Sequence, residues 1–125
     1  MTWSVAHLGP AHDVVAVTYS GDVDRTQLEQ AFAAAVAEGQ AHDTWHVITD
    51  LRQLTGGHSL FDVYAVINAV VGLGMQDRFR EAVVAPAGSE ILANAQFWET
   101  ACVNRGVSAR VFGDRDEALA WVSQP

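Results

Sequence analysis

Asp50 and Arg52 stand two residues apart where an apolar run, Trp45 to Leu51, turns polar. Residues at that spacing on an extended chain point to the same side. An acid and a base so placed either grip a ligand together or pair with each other or with a neighbouring loop. Gly57-His58-Ser59 follows, and Ser59-Leu-Phe-Asp62 has the form of a capping box. That places the Ser59 hydroxyl at a helix N-terminus, where free N–H groups and the helix dipole favour anions. Ser89 holds the same place before a second helix. Ser59 thus stands at an end willing to hold an anion. Asp50, Arg52, Gly57, His58 and Ser89 form a candidate ligand or anion edge. The simpler account of Asp24, Ser59, Ser89 and Asp114 is ordinary N-capping, and the simpler account of Asp50 and Arg52 is a salt bridge.

Other chemistry finds less support. His42 and His46 have a helical metal spacing, but they lead into a strand, so the match fails. His7, His12 and His58 sit in separate segments and Cys102 is the single cysteine, so no metal site is expected. Cys102 falls on the packed face of a helix and reads as a small core residue. No nucleophile elbow, triad order, phosphate-cradling loop or dinucleotide fingerprint is present. The expectation is a non-enzyme without a cofactor.

The 125 residues suit one domain, residues 1–125, and 50% hydrophobic content suits one filled core. Formal net charge is −8, and the seven basic residues are all Arg, scattered without a stripe. Phosphate backbones and anionic membrane surfaces are held by clustered basic residues, so neither nucleic acid nor membrane is an expected partner. A single cysteine excludes an internal disulfide. The first residues lack the pattern of a signal peptide, and the run from Leu60 to Met75 is too short to span a bilayer. A cytoplasmic location is the expectation.

The elements that must position these residues alternate. Trp3–Leu8 and Val14–Tyr19 read as a hairpin around Gly9-Pro10, with Ser20-Gly21 ending the second strand. Asp24 and Gln27 open a helix with an apolar stripe at Leu28, Ala31, Phe32, Ala35 and Val36, and Gly39 suits its left-handed C′ position. Trp45 to Leu51 is a strand ending near Asp50, and Arg52 to His58 reads as a loop hinged at Gly56-Gly57. A helix follows to about Met75. Then come a strand at Glu81–Ala85 stopped by Pro86, a helix from Ser89 to about Arg105, a strand at Ala109–Phe112, and a helix capped by Asp114. The order is β-β-α-β-α-β-α-β-α. Alternation after the hairpin predicts a mixed, mostly parallel five-stranded sheet in one α/β domain.

The helix from Leu60 to Met75 is apolar nearly all round. Leu60, Val63, Ile67, Val70 and Val71 form the stripe expected to face the sheet, with Val66, Ala69 and Leu73 roughly opposite. Such a helix is buried on two sides or covers something. The first account is a homodimer contact through Phe61, Tyr64, Ala65, Asn68, Ala69 and Gly72. The second is cover by a neighbouring helix. The third is a pocket for an apolar ligand beneath it.

Val14 to Gly21, Val47-Ile-Thr-Asp-Leu51, Arg80-Glu-Ala-Val-Val-Ala85 and above all Arg110 to Val122, in this order, resemble the SpoIIAA-like, STAS-related family of small bacterial α/β proteins. The resemblance covers Trp3 to Ser123 and is closest to the uncharacterised branch. It implies the SpoIIAA-like fold. In regulatory members a Ser or Thr opens the helix after the third strand; a partner kinase phosphorylates it and so controls binding to an anti-sigma factor. Ser59 matches by position, although Gly57-His58-Ser59-Leu60 departs from that family's Asp-Ser-Ser-Gly pattern. Other relatives of the broader fold bind lipids or apolar ligands. The resemblance thus implies a non-catalytic regulatory or protein-interaction module with a regulatory partner and with Ser59 as its candidate phosphorylation or contact site; the apolar helix adds the homodimer. The alternative is a carrier or sensor of a small apolar or acyl ligand held under the 60–75 helix.

Overall fold

A computed structural model describes residues 2–125. Strand β1 (Trp3–Leu8) turns back as β2 (Val14–Asp22), and helix α1 (Arg25–His42) leads to β3 (His46–Gly56). Helix α2 (Leu60–Gly72), β4 (Arg80–Val84), α3 (Glu90–Val103), β5 (Ser108–Phe112) and α4 (Arg115–Val122) complete the order expected above. The five strands lie in sequence order across one sheet. Only the β1–β2 pair is antiparallel; the rest run parallel.

This order decides where the helices go. Each crossover steps in the same direction, and parallel crossovers are right-handed, so α1, α2 and α3 fall on one face. Helix α4 follows the last strand and folds back over the other face, against β3, β4 and β5. Strand alternation then divides the core. Val14, Ile48, Ala82 and Val84 meet Ala118 and Val122 of α4, while Val15, Val17, Val47 and Ala109 meet Ile67 and Val70 of α2 beneath the three-helix layer. Among the described residues no helix is long and apolar enough to cross a membrane.

Several boundaries differ from the sequence reading, each for a tertiary reason. Strand β2 runs through Ser20-Gly21 to Asp22, with register shifts, and so offers a partner for more of β3. Arg52 to Gly56, expected as loop, therefore continues β3, with Gln53 beside Ser20 and Leu54 beside Gly21. Gly39 is not the C′ residue of α1. The helix continues to His42, and Asp43 takes the left-handed conformation at φ 51°. Gly39 serves packing instead: a Cβ there would stand 2.6 Å from the Thr44 carbonyl oxygen. Helix α2 stops at Gly72, short of Met75, and α3 stops at Val103, short of Arg105.

Candidate functional site

Helix α2 lies against α1 on one side and α3 on the other. Its inward stripe is Val63, Val66, Ile67 and Val70, the i, i+3, i+4, i+7 face. Leu60, expected to face the sheet, is instead 46% exposed, and Val66, expected on the far side, faces in. The helix is rotated from the sequence reading because its N-terminus leaves from the edge at Gly57, where the sheet has ended. Between this stripe, the α1 side chains Leu28, Phe32 and Val36, and strands β2 to β4 lies a cavity of about 140 Å³. Its walls are almost wholly apolar. The volume is close to the roughly 150 Å³ apolar cavity that takes up benzene.

Thr44, His58 and Asn94 interrupt the apolar wall singly, and one hydrogen-bonded polar cluster does so around Glu81. Glu81 enters it from β4, between Thr49 of β3 and Trp98 of α3. Thr49 Oγ1 donates to Glu81 Oε2 at 2.6 Å, and Trp98 Nε1 donates to Oε1 at 2.6 Å. The residue is 7% exposed. Burial raises its carboxyl to about 7, and the two hydrogen bonds only partly counter that rise. Removing a carboxylate from water penalises the charged form. Tyr19 lines the same cavity, and burial, with the Glu81 charge second, pushes its phenol well above the ordinary range. Cys102, behind it in the core, is pushed up for the same two reasons in the same order, so its thiol stays protonated.

Glu81 was missed in the sequence because its strand reads as apolar. The signal was present, however: Glu81 is a lone acid in Glu81-Ala-Val-Val-Ala85, two residues before the inward-facing Val83. A charge at an inward position of an interior parallel strand is buried by both faces of the sheet.

The edge residues singled out earlier do not converge. Asp50 and Arg52 share the α4 face with Ile48, and they pair: Arg52 Nε donates to Asp50 Oδ1 at 2.9 Å and Nη2 donates to Oδ2 at 2.7 Å. Burial raises the Asp50 carboxyl, but its hydrogen bonds from Arg52 and the charges of Arg52 and Arg115 outweigh this and hold it below the ordinary value. Ser89 caps α3, donating to the Pro86 carbonyl and accepting from Leu92 N. Ser59 caps α2 in a complete capping box with Asp62, and its side chain is exposed. His58 belongs to the cavity side, while Gly57 before it is exposed. His58 Nδ1 lies 2.8 Å from the Val23 carbonyl oxygen, and its ring lines the cavity. No group of three or more His, Cys, Asp or Glu is placed to hold a metal among the described residues.

The sequence profile of the SpoIIAA-like family matches residues 14–123. The chain belongs to the SpoIIAA-like family. The match spans every element but β1, so the cavity and the Glu81 cluster both lie inside the SpoIIAA-like domain. Among solved structures, an uncharacterised protein of the DUF3478 family with a SpoIIAA-like fold, from Shewanella loihica, is similar with a TM-score of 0.66. The two are 18% identical, and the match covers 96% of this chain and 93% of that one. At that identity the likeness establishes the SpoIIAA-like fold alone. No curated protein matches the chain.

Proposed function

We propose that this SpoIIAA-like domain is a non-catalytic binding protein that carries or senses a small apolar molecule beneath α2, in the cytoplasm. The observation that carries this reading is the apolar cavity of about 140 Å³ between α2 and the sheet. Small-molecule sites are typically concave and apolar, with a few placed polar groups, and the Glu81–Thr49–Trp98 cluster supplies such groups. The cavity suits a ligand of benzene-like size or the end of an acyl chain.

Thermal unfolding with added toluene or indole tests this reading. A ligand that binds only the native state stabilises by about 1.4 kcal/mol at ten times its Kd, which raises Tm by roughly 5 °C in a domain of this size. Val66→Phe, which fills the cavity from α2, removes the increase. No shift with either probe, or an equal shift in the filled variant, refutes the reading.

A second reading rests on a separate observation, the outer face of α2. Phe61 is 85% exposed there, with Leu60 at 46% and Tyr64 at 40%, beside the exposed Asn68, Ala69 and Gly72. Ala65 lies half-buried on the same flank. An apolar patch with a small-residue flank suits close approach of a second copy of the same helix, with Ser59 at its end as a contact or modification site for a regulatory partner. Sedimentation then gives a dimer for the natural chain and a folded monomer for Phe61→Asp, whose Tm no longer rises with protein concentration. A natural chain that sediments as a monomer at every concentration tried removes this second reading.

A further inference from the structure

The chemistry of the cavity's buried acid narrows the class of ligand, given the binding role proposed above. An ionised carboxylate offers about four lone-pair positions, and Thr49 and Trp98 occupy two of them. The other positions have no protein partner among the described residues. No Arg lines the cavity, Glu81 is its sole carboxyl, and His58 is its sole basic group. The His58 ring is already engaged at the Val23 carbonyl. Arg105, two residues past the end of α3, does not line the cavity: it donates to the Ala101 carbonyl at 2.9 Å and to the Tyr64 hydroxyl at 3.1 Å. The other titratable groups facing Glu81, Tyr19 on β2 and Cys102 on α3, are neutral and supply no positive charge.

The rest of the wall is rich in rings. Tyr19, Phe32, Trp45, Phe79 and Trp98 line the same space. Aromatic faces attract cations through their quadrupole, most strongly where water is excluded. A lone buried acid without a cation, surrounded by aromatic rings, is a complement for positive charge on an apolar body. An anionic ligand meets the reverse: its charge would face the Glu81 carboxylate, with only His58, already held through Nδ1 at the Val23 carbonyl, to offset it.

We propose that the cavity takes a small organic cation, an apolar amine whose ammonium group donates to Glu81 while its body lies among the aromatic side chains. This rests on the binding role argued above and goes further by naming the charge of the ligand. No bond forms or breaks; the ammonium fills the acceptor positions that the protein leaves open.

Calorimetric titration at pH 8 with four probes of matched size tests it: benzylamine, benzyl alcohol, benzoate and toluene. Benzylamine is expected to bind at least about tenfold more tightly than benzyl alcohol, since breaking a buried charge pair typically costs more than the 1.4 kcal/mol that tenfold represents. Benzoate is expected to give no binding. Glu81→Gln keeps both hydrogen bonds, with Trp98 donating to the amide oxygen and the amide nitrogen donating to Thr49. It therefore folds, loses about tenfold or more for benzylamine, and loses less for benzyl alcohol, whose neutral hydroxyl meets an amide oxygen in place of the carboxylate. If toluene and benzyl alcohol bind and benzylamine is no tighter, the cavity role stands and the cation assignment falls. If benzylamine binds the variant equally well, the amine is held elsewhere and the assignment falls again. If none of the four binds, both fall together.

Discussion

Glu81→Gln raises the melting temperature at pH 8 by on the order of 10 °C and raises it far less at pH 5. The direction follows from linkage. The folded chain holds the Glu81 proton up to about pH 7, whereas the unfolded chain releases it near 4.5. Between those values the native state binds more protons than the unfolded state, so stability falls as pH rises. Each pH unit across that window is worth about 1.4 kcal/mol, which sums to about 3 kcal/mol above pH 7 and to under about 1 kcal/mol at pH 5. Gln is neutral in both states and keeps the shape and both hydrogen bonds, so the variant escapes the loss. For a domain of this size about 3 kcal/mol corresponds to roughly 10 °C. Thermal unfolding of both proteins at pH 5 and pH 8 measures the difference directly. Equal offsets at the two pH values, or a lower Tm for the variant at pH 8, contradict a buried, uncompensated acid. A carboxyl that weakens the fold whenever it ionises is out of place in a purely structural core. Such placements are typical of positions kept for a ligand.

Gly57→Ala lowers stability by about 3 kcal/mol, whereas Gly56→Ala, one residue earlier, lowers it by about 1 kcal/mol. Both glycines have positive φ, 142° at Gly56 and 94° at Gly57, so either alanine is strained. The surroundings differ. A Cβ on Gly56 meets nothing within 4 Å, but one on Gly57 would stand 2.6 Å from Val23 N and 3.0 Å from Val23 O. Those atoms are already committed: Val23 N donates to the Gly56 carbonyl, and His58 Nδ1 sits on the Val23 carbonyl, both at 2.8 Å. Backbone cannot rotate away as a side chain tip can, so the link between β3 and α2 must open. Chemical denaturation of the two variants checks the contrast, and similar losses at both positions would show that φ strain alone governs the turn. Because His58 and Leu54 line the cavity, the same opening should weaken binding of any probe held there.

These two residues were unequally visible before the structure was known. Gly57 was singled out as part of a hinge, since paired glycines before a capping Ser mark a turn. What it packs against was hidden, because Val23 is more than thirty residues away. Glu81 carries no local mark of its place, since whether an acid in an apolar strand is buried is settled only when the neighbouring strands and helices are placed. Asp50 and Arg52 were legible down to their pairing, because alternation along one strand is a local property.

The same distinction runs through the whole chain. Element order, the capping residues Asp24, Ser59, Ser89 and Asp114, the mostly parallel sheet and the SpoIIAA-like family were all determined by the sequence itself. Element order and caps rest on periodicity and on hydrogen bonds that span three or four residues, the parallel sheet on the alternation of strands and helices, and the family on the sequence match itself. The length of β3, the role of Gly39, the rotation of α2 and the cavity with its buried acid were decided only by tertiary structure. Strand β3 extends because β2 runs on beside it, Gly39 is small because Thr44 presses on it, and α2 covers a space because α1 and α3 flank it. Each of these depends on contacts between segments distant in the chain, and no local pattern of residues encodes the distance between two packed surfaces.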